Sequence, residues 1–343
     1  MTTLNSAHAP YGTDISYNTD ASYDADVSYG TDIPYDTDGP RSLSAPQDTH
    51  TFTAYDGTRL AYRVTGRGRP LICLPGGPGR AAAYLGDLGG LGAHRTLVLP
   101  DTRGTGASAT PADPGTCRVD RLVADVEALR EHLGLAEVDL LGHSAGGGVA
   151  LLYTAAHPER VARLVLANPS LHAVGLASDT GAEDVVARRG HEPWYADALP
   201  AYRAMKRARS FAEAQRHRLA FEPFMYGRWD EAARAHAAAD TAQRSLTVSE
   251  HFYAGYQPDA QTLARRLRRL PAPVLVLAGE LDLWPTAVAA RAAAERFAAG
   301  RAVVQAGAGH YPWLDDPAAF TAAVTGFLAQ DTSARGGLQG DVA

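Results

Sequence analysis

After the apolar run Val138-Asp139-Leu140-Leu141 the chain reads Gly142-His143-Ser144-Ala145-Gly146, followed by Gly147, Gly148 and residues at helical spacing. This is G-x-S-x-G between a strand and a helix, where the serine must occupy a sharp, strained turn. The flanking glycines remove side chains that would collide with the strand and the helix. A serine hydroxyl is a poor nucleophile until a base takes its proton, and a histidine oriented by a carboxylate does so. Ser144 is therefore the candidate nucleophile, and its partners are expected on loops after later strands.

Two such loops follow. The run Val274 to Ala278 ends in Gly279-Glu280-Leu281-Asp282, and the run Ala302 to Gln305 ends in Ala306-Gly307-Ala308-Gly309-His310. His310 is the expected base and Asp282 the acid that orients it, with Glu280 the rival carboxylate nearer the strand end. The 28 residues from Asp282 to His310 leave room for one helix and one strand. Acyl transfer also needs amide donors for the developing oxyanion. One is expected at Ala145, next to the nucleophile. The second is expected in Pro75-Gly76-Gly77-Pro78-Gly79, where Pro78 has no amide hydrogen and Gly77 is the donor. The other eleven histidines have no such placement, and His143 and His157 read as packing or helix-end residues.

The elements that must hold these groups alternate. Thr51 to Ala54 and Leu60 to Thr65, around Asp56-Gly57, predict a hairpin with a tight type I′ turn. Leu71 to Leu74, Thr96 to Leu99, Val138 to Leu141, Leu164 to Ala167, Val274 to Ala278 and Ala302 to Gln305 are short apolar runs. Helical spacing recurs in Leu122 to Leu133, Gly147 to Ala156, Ala287 to Phe297 and Ala318 to Leu328. The pattern predicts a mainly parallel sheet covered on both faces. From Ser170 to Leu270 no strand is evident; helices are expected over Ala201 to Ala220 and Glu231 to Arg244, with aromatics that either pack this insertion or line a pocket beneath it.

Composition narrows the class. Of 343 residues, 45% are hydrophobic and 20% charged, as in an ordinary globular chain, and no apolar run approaches the ~20 residues that cross a bilayer. Eight aspartates against Arg41 put −7 on residues 1–50, so the remaining 293 carry about +1 of the total −6, which argues against nucleic-acid binding. Those first residues repeat Y-x-[TA]-D-x-[SP] five times, with tyrosines at 11, 17, 23, 29 and 35. Too few apolar residues recur there to fill a solenoid core, so disorder is expected. With only Cys73 and Cys117, reduced packed thiols are expected and no cysteine-based metal site. The N-terminus has no signal-peptide pattern, and a cytoplasmic protein is expected.

At these residues the chain resembles the α/β-hydrolase superfamily, in its proline iminopeptidase-like branch. The resemblance covers residues 51–330. It rests on G-x-S-x-G, the order Ser144, Asp282, His310, the loop Gly76 to Gly79, and the segment Asp101-Thr102-Arg103-Gly104-Thr105-Gly106-Ala107-Ser108, similar to the family's D-x-R-G-x-G-x-S. Where family members carry histidine before that loop and an aromatic after the nucleophile, this chain has Pro75 and Ala145. The resemblance implies an α/β-hydrolase fold with a helical cap inserted after the sixth core strand, and a Ser144-His310-Asp282 serine hydrolase without cofactor or metal. Its substrate would be a small molecule or short peptide: either an N-terminal residue such as proline is released, or an ester or thioester is cleaved. A silent binding protein of the same fold is the remaining alternative.

An exopeptidase must hold a free ammonium beside carboxylates, which similar enzymes draw from the cap. Residues 170–265 hold twelve acidic and twelve basic side chains, so charge excess marks no site there. Glu222, among Phe221, Pro223, Phe224 and Tyr226, is the candidate substrate-binding acid. The expected organisation is a disordered tail over 1–49, core over 50–169, cap over 170–270, core over 271–330 and a flexible tail over 331–343.

Overall fold

A computed structural model describes residues 49–208 and 211–330, with backbone alone for 211 and 212. The tyrosine repeat and the C-terminal tail lie outside the described residues. Eight strands form one sheet: β1 (Thr49–Thr53), β2 (Arg59–Gly66), β3 (Pro70–Leu74), β4 (Thr96–Pro100), β5 (Val138–His143), β6 (Val161–Ala167), β7 (Val274–Gly279) and β8 (Gly300–Gln305). Their order across the sheet is β1-β2-β4-β3-β5-β6-β7-β8. The β1–β2 and β2–β4 pairs are antiparallel and the others parallel.

The apolar runs are continuous because the inner strands bury both faces. Every residue of β5, β6 and β7 is buried. Alternate residues supply two separate cores. Ile72, Leu74, Val98, Leu140, Leu164, Leu166, Val274 and Val276 face α1 (Leu122–His132), α2 (Ala145–Ala156) and, further along the chain, the helix over 287–294. Leu71, Cys73, Leu97, Leu99, Leu141, Val165, Leu275 and Leu277 face Tyr84 to Leu91 and the C-terminal helix over 317–328. A one-residue slip in any of these strands would exchange its two cores.

Between β6 and β7 the described residues hold only helices: α3 (Ala182–Arg188), α4 (Tyr195–Arg207), α5 (Phe211–Gln215), α6 (Arg218–Phe221), α7 (Glu231–Ala238), α8 (Asp240–Gln243), α9 (Leu246–His251) and α10 (Ala260–Arg268). The chain ends with α11 (Ala287–Ala294), α12 (Pro312–Asp315) and α13 (Pro317–Leu328). Val185, Val186, Tyr202, Phe221, Phe224 and Leu283 form a third cluster, joining these helices to the loop after β7.

Three local expectations are corrected. The hairpin is made, but its loop runs from Ala54 to Thr58, because the register pairs Thr53 with Arg59. Of Asp56 and Gly57 only Gly57 has positive φ, at 81°, whereas a type I′ turn needs it at both. Asp56 instead accepts the Thr58 amide at 3.1 Å and pairs with Arg103. The helix expected over Ala201 to Ala220 stops at Arg207, where Ala208 is extended; packing of Phe221 and Phe224 against Tyr202 overrides alanine-rich helical propensity. The one expected over Glu231 to Arg244 divides at Ala239, which lets Asp240 turn fully inward onto three arginines.

The D-x-R-G-x-G-x-S segment is a brace at the end of β4. Asp101 accepts the amides of Ala82 (2.8 Å) and Ala107 (3.0 Å), and Ser108 Oγ donates to the Asp101 carbonyl (2.7 Å) while accepting from Ala61 N (2.8 Å). Arg103, fully buried, pairs with Asp125 and Asp56. Losing such a partner leaves the buried Asp125 carboxylate unpaired, typically at a cost of about 3–5 kcal/mol. Arg103→Met is therefore expected to lower the denaturant midpoint sharply, and an unchanged midpoint in chemical unfolding would contradict this reading of the brace.

Candidate active site

Parallel strands deliver their following loops to one edge of the sheet, and the candidate residues occupy that edge. Ser144 joins β5 to α2 with φ 52° and ψ −122°, a conformation that costs a side chain on the order of 1–3 kcal/mol. Its neighbours hold it there. Ser144 N donates to Ala167 O (3.2 Å), while Ser144 O accepts from Gly147 N (2.9 Å) and Ser170 N (2.7 Å). The turn is too tight for side chains at its ends: a Cβ on Gly142 would lie 2.7 Å from Gly146 O and 2.8 Å from Ala150 Cβ.

The loop after β3 lies directly against this turn. A Cβ on Gly76 would lie 2.6 Å from Ser144 Cβ and 3.1 Å from Ala145 N. Gly76 N donates to Tyr84 Oη at 2.7 Å, so its donor is engaged. The amides of Gly77 and Ala145 donate to no protein acceptor among the described residues.

His310 Nδ1 lies 2.8 Å from Asp282 Oδ2. Asp282 is fully buried, and its other contacts orient it: Asn168 Nδ2 donates to the same oxygen (2.5 Å) and Trp284 N donates to Oδ1 (3.0 Å). Glu280 points elsewhere, pairing with Arg188 (3.2 Å) and accepting Gly307 N (3.0 Å) at the surface. His310 N donates to Met225 O (2.7 Å), and the Asp315 carboxylate collects the amides of Gly309, Gly227 and Arg228, so the helices after β6 help hold the histidine loop.

Three further residues were not singled out from the sequence. Asn168, after β6, shares positive φ (46°) with Ser144 and carries Asp282; a polar residue ending an apolar strand was the available signal. Tyr84 and His143 form the second discovery. Tyr84 Oη accepts from Gly76 N and donates to His143 Nδ1 (2.7 Å), and His143 Nε2 donates to His310 O (2.9 Å). His143, expected as packing, thus ties the loop after β3 to the histidine loop. Burial, with the neighbouring His310, holds its imidazole neutral far below the ordinary histidine range.

The alpha/beta hydrolase fold model matches residues 69–317, well over half of the chain. The chain belongs to the α/β-hydrolase family. Proline iminopeptidases and esterases are among the proteins it is similar to. A proline iminopeptidase of Levilactobacillus brevis is 29% identical over 81% of this chain and 94% of that protein. One of Heyndrickxia coagulans is 35% identical over 36% of this chain, a match spanning only 44% of that relative's length. An esterase from Rhodococcus sp. ECU1013 superposes with TM-score 0.63 at 28% identity, over 82% of this chain and 98% of that one. No helix among the described residues of this hydrolase is long and apolar enough to cross a membrane.

Glu222 is buried, but its carboxylate is already paired with Arg218. Arg218 also meets Asp240, which pairs with Arg244 (2.7 Å) and Arg80 (3.4 Å). Burial pushes the Glu222 carboxyl up against the pull of Arg218, whereas burial of Asp240 is overcome by the hydrogen bonds and charge of Arg244 together with the charges of Arg218 and Arg80, which hold it down. Three guanidiniums and two carboxylates leave this cluster with one surplus positive charge.

His236, packed on Tyr84 and Tyr311, is pushed down to about 4 by burial and by Arg80. Its folded value lies below its unfolded one, near 6.5, so its contribution to stability is complete above pH ~6.5 and is lost as pH falls towards 4. His236→Gln should therefore reduce the pH dependence of unfolding free energy in that window by about 1.4 kcal/mol per pH unit, one proton's worth. Denaturant titrations between pH 4 and 7 test this; equal slopes for the two proteins would contradict a neutral His236.

Proposed function

We propose that this α/β-hydrolase is a serine hydrolase working through an acyl-enzyme at Ser144. The observation that carries the reading is the His310 Nδ1 to Asp282 Oδ2 hydrogen bond, on the edge of the sheet that presents Ser144 at a strained turn. With Nδ1 committed to Asp282, His310 keeps Nε2 for the serine proton, first as base and then as acid to the leaving group. Asp282, steadied by Asn168 and Trp284 N, orients the imidazole. The amides of Gly77 and Ala145 receive the oxyanion, and water then resolves the acyl-enzyme. In this reading residues 50–169 and 271–330 are the core and 170–270 a helical cap, and the chemistry needs no cofactor.

A carboxylic ester or related acyl compound without a free ammonium is the substrate class this site favours. The carboxylates available in the cap, Glu222 and Asp240, are neutralised by Arg218, Arg244 and Arg80, so an incoming ammonium would compete with buried guanidiniums. Release of N-terminal proline is the second reading, favoured by the likeness to the Levilactobacillus brevis enzyme along nearly its whole length. In that reading Glu222 would receive the ammonium.

Fluorophosphonate labelling should modify Ser144, and Ser144→Ala should lose both label and turnover; persistent labelling would remove Ser144 from the mechanism. Asp282→Asn should cost roughly 10⁴-fold in kcat, the scale of a misoriented triad histidine, while Glu280→Gln should cost little. Comparing p-nitrophenyl acyl esters with prolyl arylamides separates the substrate readings. Ester turnover without arylamide cleavage is expected; prolyl-arylamide cleavage that is blocked by N-acetylation and weakened in Glu222→Gln would establish the aminopeptidase instead.

A further inference from the structure

From Gly77 to Ala81 the loop carrying the Gly77 amide is held by residues 243–249. Ser245 N donates to Gly79 O (2.8 Å) and Ala81 N to Gln243 O (2.9 Å), a bridge between Arg80 and Arg244. Ser249 Oγ donates to Pro78 O at 2.6 Å. Arg244 makes the most directed contact: Nη1 donates to both Gly77 O (2.8 Å) and Pro78 O (2.7 Å), while Nε and Nη2 grip the two oxygens of Asp240, each at 2.7 Å. Asp240 is fully buried and is held in turn by Arg218 and Arg80. Arg244 therefore spends four donors in one fork, more than the three an ammonium offers.

Gly77 needs such restraint. With no side chain and a φ of 122°, it offers little resistance to turning of the peptide planes on either side, so both must be held for the loop to keep its shape. The preceding plane is fixed where Gly76 O accepts Arg80 N (3.3 Å), which aims the Gly77 N–H away from Arg80. The following plane, between Gly77 and Pro78, has no amide hydrogen to anchor it, and its carbonyl is the one Arg244 takes.

We propose that Arg244 is a positioning residue for oxyanion stabilisation: clamped by Asp240, it locks the Gly77 and Pro78 carbonyls, so that the loop cannot swing the Gly77 amide, whose own plane is held through Gly76 O and Arg80 N, away from the acyl oxygen at Ser144. This rests on the reading of Ser144 as nucleophile and Gly77 as donor, and it makes the cap part of the machinery that binds the transition state. Arg244 itself touches no substrate. Its loss weakens the interaction that grows as the carbonyl becomes an oxyanion, with ground-state binding left nearly intact.

The test uses the full-length enzyme with p-nitrophenyl acetate and an aryl trifluoromethyl ketone, which adds to the serine as a hemiketal oxyanion. Deleting an oxyanion donor outright costs about 10²–10³ in kcat, and misaiming one should cost roughly 10–100-fold. Arg244→Met is expected to lose that factor in kcat, to weaken the ketone in parallel, and to keep KM within about threefold. Arg244→Lys, which keeps the charge beside Asp240, should fall between Arg244→Met and wild type and supplies the measurement if Arg244→Met does not fold. Methylguanidinium should restore part of kcat to Arg244→Ala. A folded Arg244 variant with wild-type kcat, or one whose KM rises while its ketone affinity is unchanged, overturns the proposal. Ser144→Ala resolves the underlying reading: retained labelling there defeats the mechanism itself, whereas its loss beside a fully active Arg244→Met defeats the clamp alone.

Discussion

The conformation of Ser144 is the constraint around which the site is built. A side chain held at positive φ persists only if its surroundings allow no relaxation, and here they are two strand ends and a helix start at near-contact distance. Ala167 takes the Ser144 amide, Gly147 and Ser170 take its carbonyl, and the loop after β3 covers it so closely that Gly76 admits no Cβ. Fully buried parallel strands make this possible, because their ends cannot shift without disturbing cores on both faces.

From that fixed turn the other loops are placed by a small set of polar struts. Asn168, itself strained, holds Asp282, and Asp282 holds His310. His143 and Tyr84 span the remaining side, from the histidine loop to Gly76. Asp315 gathers three amides at the junction of the histidine loop with residues 227–228. Asn168 Oδ1 is buried without a partner among the described residues, but the other buried polar atoms of these struts are satisfied, so the struts lose more by moving than they could regain from water.

The sheet and the residues brought to its edge were legible because they follow local rules: apolar runs without alternation, glycines around a serine, an acid and a histidine after successive strands. That Gly76 N is engaged by Tyr84 was not legible, so the sequence could set aside Pro78 as a donor but not Gly76. Asn168, Tyr84, Asp240 and Arg244 were not legible, since their roles depend on partners far along the chain, and an arginine after an alanine-rich stretch carries no mark of what it will meet. The broken helices at 208 and 239 escaped for the same reason: tertiary packing and buried ion pairs set those breaks. Glu222 was found by its apolar neighbours, which reported its burial correctly and said nothing of Arg218.

The span between Gly77 and Arg244 also orders events during synthesis. The two residues are 167 positions apart, and Asp282 and His310 lie later still. Ser144 therefore leaves the ribosome long before the clamp, the acid and the base that would serve it. On the proposed mechanism, a nascent or truncated chain ending before Arg244 carries the serine with none of these, so it has no base to activate Ser144, and the set is complete only once the last strand and its histidine loop have joined the sheet.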